Sequence, residues 1–558
     1  MWKNKAQWDF PWKDPVQHGY SQKTKNKVFD KRNLIPVVTV FIFFFVYVLG
    51  GSLIYKDYGV SSDEQIDYIR GQINYNRFIG GSLAEFQQGC QYKDTICYYP
   101  PLFSMLLYWY AHTGDSQTIY WARHQLTFTF FAFSVFIFFL IGKKIFKDWK
   151  LGLLGSLFLI ISPRIFAHSF YNPKDIPCLS AYIITIFTLL WLLEKKNVFT
   201  AVLHGMAIGV LCSIRTPGLV IIPITFFFYF FDLFLTKAEW KSYLRACALL
   251  VTGLVIATVL VYWFTPILYT DPIANYIKTF YLMKQYPWNG YQLYLGQNVQ
   301  GKVPWHYPLV WFAISSPIFY LVLFLLGTVI LFARTIKSRM RDHFKSMRDF
   351  YLAGTCGVLP IIIVILIKST LYNGNRQLYF VYPALLLVAL YGIKFLIDEI
   401  RQKILHWQLV MAILLVAGLA YPVYFIVRYH PYEYVYFNSL AGSKMSIIKN
   451  RFGFDAWGVS VMDGLKYIAR SDPRSKIYIA RTDPSNNNNV GTQGTINLGW
   501  FLLPPSDRQR LIFANNQPPD YIIITYGHPT DTAPEGTVVY SIKVGDSDIL
   551  TIYKIGRN

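Results

Sequence analysis

The 558-residue sequence is 54% hydrophobic and 18% aromatic but only 15% charged, which excludes a single soluble domain. Its net charge of +22 would suit a nucleic-acid binder, but the cations lie in clusters between apolar runs. That is the pattern of loops beside anionic lipid headgroups, and it argues against a nucleic-acid partner.

Residues 1–33 are polar and basic (Lys3, Lys5, Lys13, Lys23, Lys25, Lys27, Lys31, Arg32) and lack the early apolar core of a cleaved signal peptide. They read as a cytoplasmic segment. Apolar runs of membrane-crossing length then recur. The expected spans are 34–54, 119–141, 151–168, 175–193, 198–213, 217–236, 244–266, 308–333, 350–368, 378–397 and 407–427. With the N-terminus inside, every expected inner loop is basic, as at Lys143, Lys144, Lys147 and Lys150, or from Arg334 to Arg348. An odd number of spans leaves the C-terminal segment outside. The expected architecture is therefore a polytopic α-helical membrane protein of about 11 transmembrane helices. Its membrane module covers 34–429 with outer loops at 55–118 and 267–307, and an extracytoplasmic α/β domain follows at 430–558. In that domain, 476–481 and 521–526 read as strands and 537–540 with 548–553 as a terminal hairpin, with a helix near 461–470. Asn486 to Asn489 and the prolines at 504–505 and 518–519 read as loops.

The first outer loop carries the acid pair Asp63-Glu64. Ser62 to Gln65 has capping-box spacing, followed by Ile66, Ile69 and Ile73 at helical spacing, as in a helix on the membrane surface. Acids in a first helical turn suit the macrodipole alone. Held just outside a span, however, such a pair can also deprotonate a hydroxyl brought to a lipid-borne donor.

Cys90 and Cys97 share that loop, where an oxidising compartment permits a disulfide, two free thiols being the alternative. Between the third and fourth spans, Asn172, Pro173 and Asp175 make a sound helix start. That account does not explain Lys174, which opposes the helix dipole, nor Arg164 and His168 nearby. Further cations stand at outer span boundaries against the positive-inside bias: Arg123 with His124, Arg215, Lys368 and Arg376. An anionic phosphate at the outer leaflet would give them a reason. Asp63, Glu64, Asp175 and His168 could assemble a divalent-cation site, but their spacing specifies none, and the metal is left unassigned.

In these features the chain resembles the C-type glycosyltransferases (the GT-C fold) of the protein O-mannosyltransferase and aminoarabinose transferase group, over about residues 35–430. The resemblance rests on five features in order. They are Asp63-Glu64; Ala122-Arg123; the turn holding Pro163, Arg164 and Asn172 to Asp175; Pro304, Trp305, Tyr307 and Pro308; and Arg376, Tyr379 and Pro383. It implies transfer of a sugar, with inversion, from a polyprenyl-phosphate carrier to an acceptor lipid, glycan or protein outside the cytoplasmic membrane. Carried over by position, Asp63 would be the base, with Glu64 beside it and Asp175 a second acid orienting the acceptor or a metal. Arg123 or Arg376 would hold the leaving phosphate, with Arg164, Lys174 and Arg215 as further phosphate ligands. His168, Asn172, Trp305, Tyr307 and Tyr379 would line the substrate. The tail, with Phe454-Asp455-Ala456-Trp457-Gly458, departs from the eukaryotic mannosyltransferases and puts protein mannosylation in doubt. The alternative function is a transporter or flippase of a lipid-linked sugar, which would use the same arginines without needing Asp63.

Overall fold

The computed structural model describes residues 31–93, 95–288, 290–337, 340–481, 493–514, 517–526 and 534–556. Residues 1–45 and 46–558 form separate units. The first enters the apolar helix Lys31–Ile54 and otherwise lies outside the described residues.

Nine helices among the described residues are long and apolar enough to cross a membrane, and a tenth is counted if a bent pair is one span. The chain is a multi-pass membrane protein. The count falls below the expected eleven for identifiable reasons. The run expected at 151–168 breaks into Trp149–Ile160 and Pro163–Tyr171, bent by 72°. Pro163 lacks the N–H that would continue the helix, and it starts a new one instead. The run at 198–213 is helical as Val198–Ile214 but short for a span. The run at 308–333 divides at Ser316-Pro317 into Tyr307–Ser315 and Ile318–Lys337.

Helix contacts depend on small residues. A Cβ on Gly205 would lie 2.3 Å from the Gly253 carbonyl oxygen, and one on Gly327 would lie 2.2 Å from that of Val388. Val198–Ile214 and Trp240–Phe264 therefore touch backbone to backbone, as do Ile318–Lys337 and Tyr382–Lys403. Two ionisable side chains within the spans find local partners. His204 sits between the hydroxyls of Thr188 and Thr225, each 2.9 Å away. Asp232 pairs with Lys196 and lies 3.7 Å from Arg348.

The segment after Lys31–Ile54 folds as Ser62–Phe78, Leu83–Cys90 and Leu102–Tyr110. Residues 267–307 form a helix, Pro272–Lys284, and a hairpin, β1 (Tyr291–Tyr294) with β2 (Gln297–Gln300). The tail contains β3 (Ile477–Arg481), β4 (Leu511–Phe513), β5 (Tyr521–Thr525), β6 (Thr537–Val544) and β7 (Ser547–Lys554). They form one sheet in the order β4-β3-β5-β7-β6. β3 runs parallel to β4 and β5, and β7 runs antiparallel to β5 and β6. Helix Val461–Ser471 lays its apolar stripe on this sheet, where a Cβ on Gly464 would stand 3.1 Å from Leu550. Asn486 to Asn489 lie outside the described residues.

The tail packs directly on the membrane-proximal segments. Met462, Leu498 and Leu502 share a core with Val60 and Tyr120. Gln117 donates to the Leu502 carbonyl at 2.7 Å, and the Asn438 amide donates to the carbonyls of Ala313 and Ser316, each at 2.6 Å.

Candidate functional site

The helix Ser62–Phe78 begins one residue earlier than the expected capping box. Ser61 is the N-cap and Glu64 stands at N3, its carboxylate accepting the Ser61 backbone N–H at 2.7 Å. The other Glu64 oxygen lies 3.0 Å from His124 Nε2, and both side chains are buried. Glu64 is therefore occupied in closing the helix start.

Asp63 points elsewhere. It heads a stripe of Asp63, Asp67, Arg70 and Asn74, one per helical turn on a single face. Arg376 Nη1 lies 3.1 Å from Asp63 Oδ2 and 3.1 Å from Asp175 Oδ2. Lys174 Nζ lies 3.7 Å from the same Asp63 oxygen and 3.5 Å from Asp67. Arg215 pairs with Asp175, and Arg70 with Asp67. Four cations thus face three carboxylates, one net positive charge. The Tyr99 ring lies 4.3 Å from Arg70, 5.4 Å from Lys174 and 5.8 Å from Arg215. Cys90 and Cys97 are bonded, and the loop they close presents the Ile96 carbonyl, which accepts from Arg70 Nε at 3.3 Å.

The three carboxylates are not equivalent. The side chain of Asp67 is fully buried and that of Asp175 is 1% exposed, whereas Asp63 retains 21%. Ser104 donates to Asp67 at 3.3 Å, and Asn172 donates to Asp175 at 3.0 Å. Both cations at Asp63 address Oδ2, leaving Oδ1 outside the ion pairs. Burial alone would raise the Asp63 pKa, but Lys174, Arg376, Arg70 and Lys93 outweigh it and hold the carboxyl well below its usual range. Lys174 is in turn lowered by burial, with Asp63 and Asp67 opposing that shift.

Asn172 works through its side chain, accepting the backbone N–H groups of Lys174 and Asp175 at 3.2 and 2.9 Å and so fixing the turn. The helix itself starts at Asp175, two positions later than the expected cap implied. His168 lies against Asn172 at 3.1 Å, with its ring among Tyr171, Tyr379 and Trp457. Tyr307 donates to Gln292 at 2.6 Å and accepts from the Gly374 N–H at 3.0 Å, bracing the turn before Arg376.

Three expected ligands lie apart from the cluster. Arg164 turns to the Tyr436 carbonyl, 2.8 Å from its Nε. Trp305 is 67% exposed and meets the His306 ring at right angles. Arg123 is fully buried on the opposite flank of the surface helix, over the Tyr68 ring at 5.5 Å, with none of its side-chain nitrogens hydrogen-bonded. No group of three or more metal-ligating side chains comes together among the described residues. Glu64 is turned to His124, and His168 to Asn172, so the four groups considered for a cation do not converge.

The sequence assigns no site role to Asp67, Arg70 or Tyr99, and places Trp457 only in the tail motif. The spacing of 63, 67, 70 and 74 is a usable signal for the first two. Trp457 gives no local signal. It comes from the tail, lies 4.5 Å from Arg376 over its ring, and its carbonyl accepts the Ser62 N–H at 3.1 Å.

The fold is that of a polytopic helical membrane protein whose charged site gathers at helix ends. No family model matches the chain, and no curated protein matches it by sequence. Among solved structures it is similar to ArnT from Cupriavidus metallidurans in the apo state, with TM-score 0.47 and 14% identity over 93% of this chain and 97% of that one. It is also similar to ArnT bound to undecaprenyl phosphate, with TM-score 0.45 and 13% identity over 93% and 98%. A further similar structure is the archaeal oligosaccharyltransferase AglB from Archaeoglobus fulgidus, in complex with an inhibitory peptide and a dolichol-phosphate. There the TM-score is 0.40 and the identity 10%, over 84% and 66%.

Proposed function

We propose that the protein is a membrane glycosyltransferase that moves a sugar from a polyprenyl-phosphate carrier to an acceptor hydroxyl on the extracytoplasmic side, with Asp63 as base. The observation that carries this reading is the exposure of Asp63 alone among three carboxylates set in a ring of cations. The acceptor oxygen bonds to the anomeric carbon as the bond from that carbon to the phosphate oxygen breaks. The hydroxyl proton passes to Asp63 Oδ1, and Lys174 and Arg376 take up the charge on the departing phosphate.

In the free site Asp63 is too weak a base, and the reading requires that substrate binding raise its pKa. A donor phosphate draws Lys174 and Arg376 toward itself, which lifts the pKa of Asp63 when substrate is bound. Asp175 and Asp67 hold the cations in place. Inversion follows from a single displacement, and the clustering of cations in alternate loops supports an extracytoplasmic site.

The test uses the purified protein in lipid with a panel of radiolabelled polyprenyl-phosphate sugars and cell-envelope extract, measuring free polyprenyl phosphate. Asp63→Asn should lower release about 10²–10⁴-fold. Equal release by both forms would remove Asp63 as the base. The carrier reading gains nothing from the span interiors, where His204 and Asp232 are engaged by fixed neighbours.

A further inference from the structure

Arg376 also forms part of the wall of a cavity that Asp63 does not line. The cavity measures about 60 Å³ and lies among Arg164, His168, Trp311, Asn373, Arg376 and Trp457. By the volume one water needs, it has room for about four to six waters. That is space for a carboxylate or phosphate group and little more of the molecule bearing it.

The wall holds two arginines and no aspartate or glutamate. Arg376 shares its charge with Asp63 and Asp175, but its Nε is buried without a partner. Arg164 has no carboxylate within ion-pair distance among the described residues. Its polar neighbours are the Tyr436 carbonyl, 2.8 Å from Nε, and the Tyr379 hydroxyl. The acid next to the wall, Asp455, is occupied by the N–H groups of Val459 and Ser460 and by the Ser460 hydroxyl.

Both guanidinium groups are held by aromatic faces. Arg164 lies 4.4 Å from the Phe437 ring centre and 5.4 Å from that of Trp311. Arg376 lies 4.5 Å from Trp457 and 5.0 Å from Tyr372. A guanidinium fixed by its face presents N–H groups along its edge in the geometry that matches a carboxylate or phosphate. A partly buried cation with no counter-charge is costly, and an anion would relieve that cost.

We propose that this cavity is a second anion site, which receives a carboxylate or phosphate carried by a substrate. Completed by Trp457 of the tail, it makes the enzyme selective for an acidic partner. The proposal rests on the transferase reading for its biological use, but the site can be tested without turnover.

The experiment measures thermal stabilisation of the full-length protein in lipid nanodiscs by glucuronate, inorganic phosphate and glucose. Glucuronate and phosphate should stabilise wild type and glucose should not. Arg164→Gln should weaken anion binding at least about tenfold, the loss of one charge-assisted contact. Arg164→Lys should recover part of it. Polyprenyl phosphate is then added to identify the source. Simultaneous binding places the anion on the sugar or the acceptor, whereas displacement of bound glucuronate makes this the carrier's own phosphate site and overturns the proposal. Equal stabilisation by glucose, or anion binding unchanged in Arg164→Gln, would overturn the proposal. If Arg164→Gln does not fold, competition between glucuronate and polyprenyl phosphate on wild type still decides. Failure of transfer with anion binding intact would count against the transferase reading alone.

Discussion

Asp63 and Glu64 are adjacent in the chain but have opposite surroundings. Glu64 satisfies the Ser61 N–H and His124 in a buried pocket, while Asp63 reaches toward cations with one oxygen uncommitted. Glu64→Ala orphans both partners and should cost about 1–3 kcal/mol of stability. Turnover per folded molecule should fall far less than in Asp63→Asn. Thermal unfolding measured beside the release assay separates the two roles, and loss of turnover at unchanged stability would reverse them. Much of the charge inventory here was legible in the sequence. Lys174, Arg215 and Arg376 stand out as cations on the side the positive-inside rule leaves poor in them, and the structure gathers all three around Asp63 and Asp175. Arg123 carries the same signal yet lies apart, because one helical position decides which flank of a neighbour a side chain meets. Asp67 and Arg70 do not stand out in this way, because charges on a surface helix ordinarily face water.

At the scale of elements, the helix that carries Asp63 is clasped at its start by the tail. Tyr58 donates to both oxygens of Glu433 at 3.2 and 3.1 Å, and His430 bridges Glu433 at 2.7 Å and Asp57 at 3.0 Å. Burial would lower the His430 pKa, but Glu433 and Asp57 prevail and raise it to about 9. A folded-state pKa above the ordinary value means that the clasp contributes fully below pH about 6.5 and is lost as pH rises through about 9. The melting temperature should therefore decline between those pH values in wild type and stay flatter in His430→Gln. Parallel curves would show that the clasp contributes nothing. None of this was legible locally, since the periodicity of one element does not say which distant element it will meet. Helix breaks are different. Pro163 and Pro317 are visible in the sequence, but the length of the apolar runs around them masks the breaks.

For the whole molecule, the proposed reaction requires one orientation, with the tail outside. In a variant whose free cysteines (Cys178, Cys212, Cys247 and Cys356) are replaced, Lys543→Cys should react with a membrane-impermeant maleimide in intact cells. Lys241→Cys should react only after permeabilisation. The opposite pattern would place the Asp63 cluster on the cytoplasmic face and remove the proposed reaction from the extracytoplasmic side. The overall helical character was legible because a long apolar run reports membrane insertion directly. The union of tail and membrane module was not, since it depends on shape, as where a Cβ on Gly59 would stand 2.2 Å from the Val459 oxygen.

The clasp also bears on how the chain is made. Tyr58 and Glu433 are 375 positions apart. A ribosome adding about 5–20 residues per second needs roughly 20–75 s to pass from one to the other. During that interval the apolar helices can enter the bilayer in turn while the acid-bearing helix waits without its fastening. A nascent chain is thus unarmed until its last third is delivered, and a product of premature termination takes a place in the membrane without acquiring an assembled site.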